Sequence, residues 1–364
     1  CEYMKPKISI IILNYNGWKD TIECLESVFF SSYTNYQVIV VDNFSEDESL
    51  QKIKDYCSGK IQPQSPFFKY NPNNKPIPIC EFNNFNCQEN YHELIGDNFS
   101  QCKRLIIIKN EKNYGFTEGN NIAIRFIREN FQSKYIFLLN NDTVIHPECI
   151  GDIIALAEKE ERIGIVGALP YRYTNPKDPE SKSLIFNPRR GNFKQIFIHD
   201  ENFIDVDYVS GCSLLIADEL ISKIGLLYSP LYLYYEDTDW CLRAKSNGYR
   251  IITKIAPRVW HKGGSSINKS VMGSHLKMYF GTRNRIICTY RNSNSLDFLI
   301  FCLYFIIFVN TKTHIDTIKN RKVDILLPFY RALLDSFRFI CTIKKEDGFG
   351  VITPQPSHGD MYFQ

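Results

Sequence analysis

The sequence lacks both a long uninterrupted hydrophobic run and a large net charge. Its 364 residues carry 43 Lys and Arg against 40 Asp and Glu, and a formal net charge of +3 argues against a protein that coats nucleic acid. Twelve cysteines are irregularly spaced and form no Cys-x-x-Cys pair, so we expect free thiols in a reducing cytoplasm rather than a disulfide framework. No signal peptide is expected either, because Lys5, Pro6 and Lys7 lead directly into a short strand-like run.

The longest apolar run, residues 298–309, contains only 12 residues. As a helix it would reach roughly 18 Å at about 1.5 Å per residue, which is short of the ~30 Å hydrocarbon core of a membrane. We therefore expect that this run does not cross a membrane by itself. A buried helix and a helix lying in the membrane interface are two open interpretations.

Several common catalytic motifs are also missing. The chain has no Gly-x-x-x-x-Gly-Lys-Ser/Thr loop, no Gly-x-Gly-x-x-Gly, no Gly-x-Ser-x-Gly and no His-Glu-x-x-His. Nucleotide hydrolysis on a phosphate loop, dinucleotide redox chemistry, serine hydrolysis and zinc proteolysis therefore lose support.

Strand-like and helix-like segments alternate along the first half of the chain. Residues 7–13 and 36–41 are β-branched runs, and residues 18–30 between them repeat apolar side chains at helical spacing. Ser45 and Glu48 resemble a capping box that opens a second helix. Further strands are predicted at 104–109, 135–139 and 163–169, and further helices at 117–131 and 147–160. This alternation implies an α/β fold whose sheet is mostly parallel, with a site at the carboxyl ends of the strands.

The chain is predicted to divide into a core domain and an appendage. We place the core domain at residues 1–265, a helical region that associates with a membrane at 266–346, and a flexible tail at 347–364. Residues 59–101, rich in Pro, Asn and Phe, are predicted as an insertion with little regular structure, at the rim of the site or in an oligomer contact.

Carboxylate and amide side chains follow three of the predicted strands. Asp42 follows the second strand, Asn113 the third, and Asn140, Asn141 and Asp142 the fourth. In a parallel sheet these ends converge on one crevice. A divalent cation bound together with a nucleotide diphosphate needs few protein ligands, and Asp142 suits that role. The alternative for Asp42 and Asp142 is that each merely caps a helix.

A second acidic cluster lies about a hundred residues further on. Glu236, Asp237 and Asp239 crowd three carboxylates into four positions, which is typical of acid–base sites, although acidic residues also favour the first turn of a helix. His261, between Trp260 and a Gly-rich turn, can ligate a metal or contact phosphate, or it can be structural.

These segments together resemble a known family. The motifs, in chain order, are Asn14-Tyr15-Asn16, Val40-Val41-Asp42-Asn43 with Ser45, Asn113-x-Gly115-Phe116-x-x-Gly119-Asn120, Leu138 to Asp142, Gly211, Glu236-Asp237-x-Asp239 and Trp260-His261. The series is similar to family 2 glycosyltransferases, most of all to their bacterial rhamnosyltransferase-like branch. The resemblance implies a GT-A fold, which is Rossmann-like, here with a C-terminal helical appendage. It also implies an inverting transfer from a nucleoside-diphosphate sugar, linked to UDP or dTDP.

The resemblance further implies a role for each matching residue. Asp42 would recognise the base, Asp142 would hold Mg²⁺ or Mn²⁺ with His261 as second ligand, and Asp237 would be the general base, flanked by Glu236 and Asp239. The residues implied to line the nucleotide and sugar are Asn14, Asn16, Asn113, Gly115, Asn120, Asn140 and Asn141. The residues expected on the diphosphate or acceptor side are Lys262, Arg243 and Trp240. Asn140 replaces the first Asp of the family's Asp-x-Asp motif, which leaves one carboxylate for the metal.

The partners follow from the same resemblance and from charge. The acceptor is expected to be a saccharide, free or lipid-linked, in the synthesis of a bacterial cell-surface polysaccharide, with rhamnose as a candidate sugar and no nucleic acid involved. Residues 241–296 carry 11 basic and no acidic side chains, which suits a peripheral position on the anionic inner face of the plasma membrane. Packing of the C-terminal helices on the sheet, or a homodimer, is the alternative. Competing functions are a sugar-1-phosphate nucleotidyltransferase and a binding module without turnover.

Overall fold

A mixed β-sheet of 11 strands forms the centre of the computed structural model, which describes residues 5–83, 105–159, 162–180, 183–196, 202–263 and 271–342. Its strands are β1 Ile8–Asn14, β2 Tyr36–Asp42, β3 Ile79–Asn83, β4 Leu105–Lys109, β5 Tyr135–Asn140, β6 Thr143–Ile145, β7 Ile163–Arg172, β8 Asn175–Pro179, β11 Phe203–Asp205, β12 Ser213–Ala217 and β13 Arg250–His261. A separate hairpin consists of β9 Ser183–Asn187 and β10 Asn192–Ile196.

The helices pack on both faces of this sheet and form the C-terminal region. They are α1 Trp18–Phe29, α2 Ser49–Cys57, α3 Gly115–Asn130, α4 Cys149–Ala157, α5 Asp218–Ile224, α6 Glu236–Ser246, α7 Val271–Arg291, α8 Ser295–Tyr304, α9 Thr311–Lys319 and α10 Leu326–Thr342. A π-helical stretch, Phe305–Asn310, joins α8 to α9. The predicted early strands and helices are thereby confirmed to within a few residues.

The sheet order is β11-β13-β7-β12-β5-β1-β2-β4-β3. The five strands from β5 to β3 are parallel, whereas β12 runs antiparallel to both of its neighbours, β5 and β7. Successive side chains of a strand point to opposite faces of the sheet, and helices cover both faces, so the central strands are buried on both sides. Ile10 and Ile12 belong to the core on one face, and Ile11 belongs to the core on the other.

Two predictions about local structure are corrected. The capping box of Ser45 and Glu48 does not form, because α2 begins at Ser49 and the backbone N–H of Ser49 donates to Asp47 Oδ1 at 2.9 Å. In the segment after Gly59, predicted to have little regular structure, Ile79–Asn83 form β3, which pairs in parallel with β4 at the sheet edge. The remainder of the predicted insertion, 84–101, lies outside the described residues.

The second correction concerns the apolar run at 298–309. The helical backbone continues through it from Ser295 to Lys319, 25 residues, and this helix is long and apolar enough to cross a membrane. At about 1.5 Å per residue its length exceeds the ~30 Å hydrocarbon core, so the argument from the run's length was wrong. The domain boundary predicted near 265 and the tail predicted at 347–364 both fall outside the described residues and stay predictions. The nine cysteines in the described part of the chain are free thiols, as expected.

Candidate functional site

The predicted strand-end residues do meet at one edge of the sheet. Asn14 at the end of β1 is paired in register with Asp42 at the end of β2, and Leu13 is paired with Asn140 at the end of β5. Because these strands are parallel, their polar ends emerge side by side. The spacing of the motifs in the sequence and the sheet order therefore agree.

Asn14 and Asp42 form a buried polar network. Asn14 Nδ2 donates to Asp42 Oδ1 at 2.8 Å and to Ser45 Oγ at 3.0 Å, while Asn14 Oδ1 accepts from Thr21 Oγ1 at 2.7 Å. The second oxygen of Asp42 accepts from the backbone N–H of Ser45 at 3.1 Å. Asn14 is fully buried and holds the Asp42 carboxylate in place. Ser45 belongs to this network and does not cap a helix. Asn16 stabilises the same loop by accepting from two backbone N–H groups.

A second network holds the loop that follows β4. Asn113 Oδ1 accepts from Asn43 Nδ2 at 2.8 Å and from the backbone N–H of Gly115 at 2.9 Å. Gly115 has φ +73°, and a Cβ there would lie 2.6 Å from the ring of Tyr232, so only glycine fits. Asn120, one turn along α3, is buried and donates to the carbonyl of Phe116 at 2.7 Å.

Asn141 fixes the turn after β5. Its Nδ2 donates to Thr21 Oγ1 at 3.1 Å, and it lies close to Gly17, whose missing side chain leaves the space that Asn141 occupies. The backbone N–H of Asn140 donates to the carbonyl of Cys212 at 3.1 Å. The Asn141 side chain and the Asn140 backbone therefore position the Asp142 turn against the first turn of α1 and the residue before β12.

Asp142, His261 and Glu180 form a compact acidic cluster around one imidazole. His261 Nδ1 lies 2.6 Å from Glu180 Oε2, and His261 Nε2 lies 3.2 Å from Asp142 Oδ1. Burial alone would lower the pKa of His261, but the acidic groups of Cys212, Asp142 and Glu180 raise it to about 11. With no cation nearby, the charged imidazole would balance the two carboxylates.

The implied Mg²⁺ or Mn²⁺ fits this cluster. His261 Nε2 is buried, lacks a hydrogen-bond partner within the described residues, and is adjacent to a carboxylate oxygen of Asp142. A ligating His commonly gives its other ring nitrogen to a carboxylate, which is the position of Glu180. In the described part of the chain no group of three or more His, Cys, Asp or Glu side chains is arranged to hold a metal. The remaining ligands would come from the diphosphate and water.

Lys262 is engaged elsewhere. Its Nζ lies 2.6 Å from Asp20 Oδ1 and 2.6 Å from Glu23 Oε2, both on α1. Its backbone N–H donates to the carbonyl of Asp142 at 3.0 Å. Because two carboxylates already neutralise the ammonium, the predicted contact of Lys262 with a diphosphate gains no support from this geometry.

Asp237, predicted as the general base, lies in the first turn of α6. Its Oδ2 accepts from the backbone N–H of Gly211 at 2.9 Å and from Tyr208 Oη at 3.1 Å, while Oδ1 accepts from the backbone N–H of Thr238 at 2.7 Å. Burial raises the pKa of Asp237, although these donors oppose the shift by stabilising the anion. Asp237 is partly exposed.

Glu236 differs from its neighbour. It is buried, and within the described residues its Oε2 has no hydrogen-bond partner. Burial, and then the charge of Asp237, raise the pKa of Glu236 well above its usual range. Since Asp237 has three hydrogen-bond donors around it and Glu236 Oε2 has none within the described residues, the anionic form is better stabilised on Asp237 than on Glu236.

Asp239, Trp240 and Arg243 do not reach this site. Asp239 is fully buried and pairs with Arg243 Nε at 2.8 Å and Arg291 Nε at 3.1 Å. Arg243 also donates to the carbonyls of Ile224 and Leu226, and the buried Trp240 Nε1 donates to the carbonyl of Gly225 at 2.9 Å. The structure thus corrects their expected roles: these side chains join α6 to α7 and to the segment after α5.

Glu236 and Asp237 follow a strained backbone segment. Tyr232, Tyr234 and Tyr235 have φ values of 63°, 68° and 70°, a conformation that non-glycine residues rarely adopt. Asn284 of α7 is fully buried, and its Nδ2 donates to the carbonyls of Leu231, Leu233 and Tyr234 at 2.6, 2.7 and 2.9 Å. A residue of the C-terminal region therefore holds the backbone that presents Asp237.

Sequence reasoning missed Glu180, Tyr208 and Asn284. The first two lie in loops between short strands, where no periodic pattern marks them, and Asn284 lies inside a long helix. Only their partners, His261, Asp237 and the carbonyls before Glu236, identify them. A buried Asn in the middle of a predicted helix is the one available signal, because an Asn there needs partners.

The central sheet and the helices on both of its faces form the GT-A fold of glycosyltransferases. The solved structure of the mannosyltransferase PcManGT from Pyrobaculum calidifontis, in complex with GDP-Man and Mn²⁺, matches with a TM-score of 0.52 at 13% identity, over 93% of this chain and 80% of that one. The profile of Glycosyl transferase family 2 matches residues 9–77 and 85–224, and the chain belongs to that family.

Two curated relatives extend the comparison. The dTDP-rhamnosyl transferase RfbF of Shigella flexneri is 24% identical over 289 residues, which are 74% of this chain and 94% of RfbF. The low-salt glycan biosynthesis hexosyltransferase Agl10 of Haloferax volcanii is 22% identical over 179 residues, 49% of this chain. The match spans 57% of Agl10's own length.

Proposed function

We propose that the chain is an inverting glycosyltransferase that moves a sugar from a nucleoside-diphosphate donor to a saccharide acceptor. One observation carries this proposal. Gly211 donates its N–H to Asp237, and the next residue, Cys212, accepts from the N–H of Asn140, two residues before Asp142. The candidate base and the candidate metal ligand are therefore connected through two adjacent residues at the start of β12.

The reaction assigns a task to each side. The acceptor hydroxyl oxygen bonds to the anomeric carbon, the bond from that carbon to the diphosphate oxygen breaks, and the hydroxyl proton passes to Asp237. Attack opposite to the leaving group inverts the anomeric centre. Asp142 and His261 would hold Mg²⁺ or Mn²⁺, which supplies positive charge to the departing diphosphate. Asp42, at the far end of the same edge, is proposed to recognise the base through its remaining lone pairs.

Donor and acceptor are proposed at the level of chemical class. A donor linked to UDP or dTDP, with rhamnose as the sugar, is supported by the similarity to a dTDP-rhamnosyl transferase over most of both chains. A lipid-linked saccharide at the cytoplasmic face of a bacterial plasma membrane is supported by the long, apolar and little-buried helix beside the catalytic region. The product would extend a cell-surface polysaccharide.

The test is a donor screen. The purified chain is incubated with UDP-, dTDP- and GDP-linked sugars, with and without Mn²⁺, and the release of nucleoside diphosphate is measured. We expect release from one donor class, increased by Mn²⁺ and abolished in Asp237→Asn. Release that is equal in the wild type and in Asp237→Asn would contradict the proposed site, and release of pyrophosphate from sugar-1-phosphate with a nucleoside triphosphate would indicate a nucleotidyltransferase instead.

A further inference from the structure

The exposed apolar side chains of this molecule are concentrated in one region. Within the described residues 15 large apolar side chains are strongly exposed, and all but Phe44 and Met272 lie between residues 296 and 337. An apolar patch of this extent marks a binding surface rather than ordinary exposure. The C-terminal helices therefore present a surface that requires a partner.

The helix that runs through α8 and α9 is apolar on two faces. Phe301 and Phe305 are buried against Phe329 of α10, which fixes the inner face. The outer face carries exposed residues spaced three or four apart, which are Leu296, Leu299, Leu303, Ile306 and Ile307. A helix that is apolar all round belongs in a core or in a membrane, and only 11% of its most apolar window is buried. The core interpretation therefore does not hold.

A second exposed apolar stripe lies on α10. Its members are again three or four residues apart, and they are Leu327, Tyr330, Leu334 and Phe337. The opposite side of α10 buries Phe329 and Ala332. The small core here is shared by α7, α8, the π-helical stretch and α10. An apolar stripe is still left uncovered on each side of the turn at 320–325.

Cations surround the turn between the two stripes. Lys312, Lys319, Arg321 and Lys322 are exposed, and residues 271–342 contain ten basic side chains against four acidic ones. Cations next to an apolar stripe match the phosphate and acyl layers of an anionic bilayer. A symmetric contact with a second copy would instead place these cations against one another.

We propose that α8, α9 and α10 form a docking surface for an anionic lipid bilayer, with the apolar stripes in the acyl layer and the cations at the headgroups. The helix through α8 and α9 lies in the interface, because Lys312 and Asp316 interrupt its length and its inner face is packed on α10. Docking also orients the site, since α7 packs on α10 and carries Asn284, which holds the segment before Asp237. Only this last step rests on the proposed function.

The experiment is flotation of the full chain with two kinds of vesicle, phosphatidylcholine alone and equal parts phosphatidylcholine and phosphatidylglycerol. We expect binding to the mixed vesicles, weakened on the order of 100-fold in Lys312→Ala/Lys319→Ala/Lys322→Ala and weakened by salt. Leu299→Ser/Leu303→Ser/Ile306→Ser should also lose binding. The matched control, Lys60→Ala/Lys159→Ala/Lys177→Ala, removes three exposed lysines of the catalytic domain and should bind as the wild type does.

Three results would overturn the proposal. They are binding to neither vesicle, binding that the Leu and Ile substitutions do not change, and a dimer in sedimentation that these substitutions dissociate. Circular dichroism of each variant shows whether it has folded. Nucleoside diphosphate release, measured on the same preparations, separates the two proposals: release without vesicle binding removes only the docking surface, and binding without release removes only the proposed function.

Discussion

Asp237 is the side chain on which the proposed transfer depends. Asp237→Asn keeps its size and most of its hydrogen-bond geometry but removes the proton acceptor. We expect the transfer rate to fall by roughly 10²–10⁴-fold, the usual contribution of a general base, with the donor dissociation constant unchanged. Single-turnover transfer and donor titration measure the two quantities. Glu219→Gln, an exposed carboxylate on α5, is the control, and unchanged transfer in Asp237→Asn would remove Asp237 from the role.

Glu180 is expected to tune the metal site through His261. Glu180→Gln weakens the hold on His261 Nδ1, so we expect Mn²⁺ affinity to fall by about 10–100-fold. Isothermal titration of Mn²⁺ in the presence of nucleoside diphosphate measures this directly. Asp178→Asn, two residues away in an exposed ion pair with Arg172, should leave the affinity unchanged. Equal affinity in the Glu180 variant and the wild type would mean that the His261 contact is only structural.

At this scale the sequence predicted some residues well and misassigned others for a geometric reason. Asp142, His261 and Asp237 belong to short motifs at strand ends or a helix start, which the sequence makes visible, and their roles stay predictions. Asp239 is two residues beyond Asp237, which is about 200° around a helix at 3.6 residues per turn. It therefore points away from Asp237, into the interior and toward Arg243 on its own face. The two carboxylates are close in the sequence, but their side chains point in opposite directions from the helix.

The segment between α5 and α6 is an element whose shape depends on another element. Asn284→Ala would leave the carbonyls of Leu231, Leu233 and Tyr234 without their shared donor, next to three residues at positive φ. We expect a loss of roughly 1–3 kcal/mol in the free energy of unfolding and a lower transfer rate at saturating donor. Urea unfolding and steady-state kinetics measure the two effects. The exposed Asn320→Ala serves as the control, and a variant with wild-type stability and rate would show that the segment holds its own shape.

Elements were predictable where local pattern and tertiary environment coincide. The runs that became β1, β2, β4 and β5 are buried on both faces and therefore read as continuous apolar strands. By contrast, β8 has the sequence Asn-Pro-Lys-Asp-Pro and is a strand only because it pairs with β7. Similarly, β3 exists because the edge of β4 is available. Pairing of this kind is decided between distant segments and leaves no periodic signal.

The whole molecule is connected across its two regions by the buried pairing of Asp239 with Arg243 and Arg291. Although burial alone would raise the pKa of Asp239, the two arginines lower it to about 2. A lowered pKa stabilises the fold above the ordinary value of about 3.9, and that contribution is lost as pH falls toward 2. Asp239→Asn should cost about 3–5 kcal/mol at pH 7, because it leaves buried arginines unpaired.

This prediction is checked by urea unfolding of the wild type and Asp239→Asn from pH 7 down to pH 2. The difference in unfolding free energy should be constant above about pH 4 and shrink below it. Glu219→Gln, which removes an exposed ion pair, should show almost no difference at any pH. A difference that does not depend on pH would mean that packing, rather than charge, accounts for the role of Asp239.

The partners of the cations in the basic block at 241–296 could not be predicted by counting charges. Its cations were expected to face a diphosphate or a membrane. In the structure Arg243, Lys262 and Arg291 pair with buried or half-buried carboxylates, while Arg283 and Arg285 donate to backbone carbonyls of neighbouring segments. Which cations remain for a partner depends on three-dimensional neighbours. The exposed cations of the proposed docking surface, Lys312, Lys319, Arg321 and Lys322, lie outside this block.

The reversed direction of β12 has a consequence for how such a molecule can vary. Because β12 is antiparallel to β5, it begins at the end of the sheet where β5 and β1 finish. Gly211 and Cys212, directly before β12, therefore lie beside the carboxyl ends of these strands without a long loop. The stretches before and after β12 can then change in length or sequence while Gly211 and Cys212 keep their hydrogen bonds to Asp237 and Asn140. A shift of β12 by one residue would move each of its side chains to the opposite face of the sheet and would carry the Gly211 amide away from Asp237. This short strand therefore tolerates less change than the loops it joins.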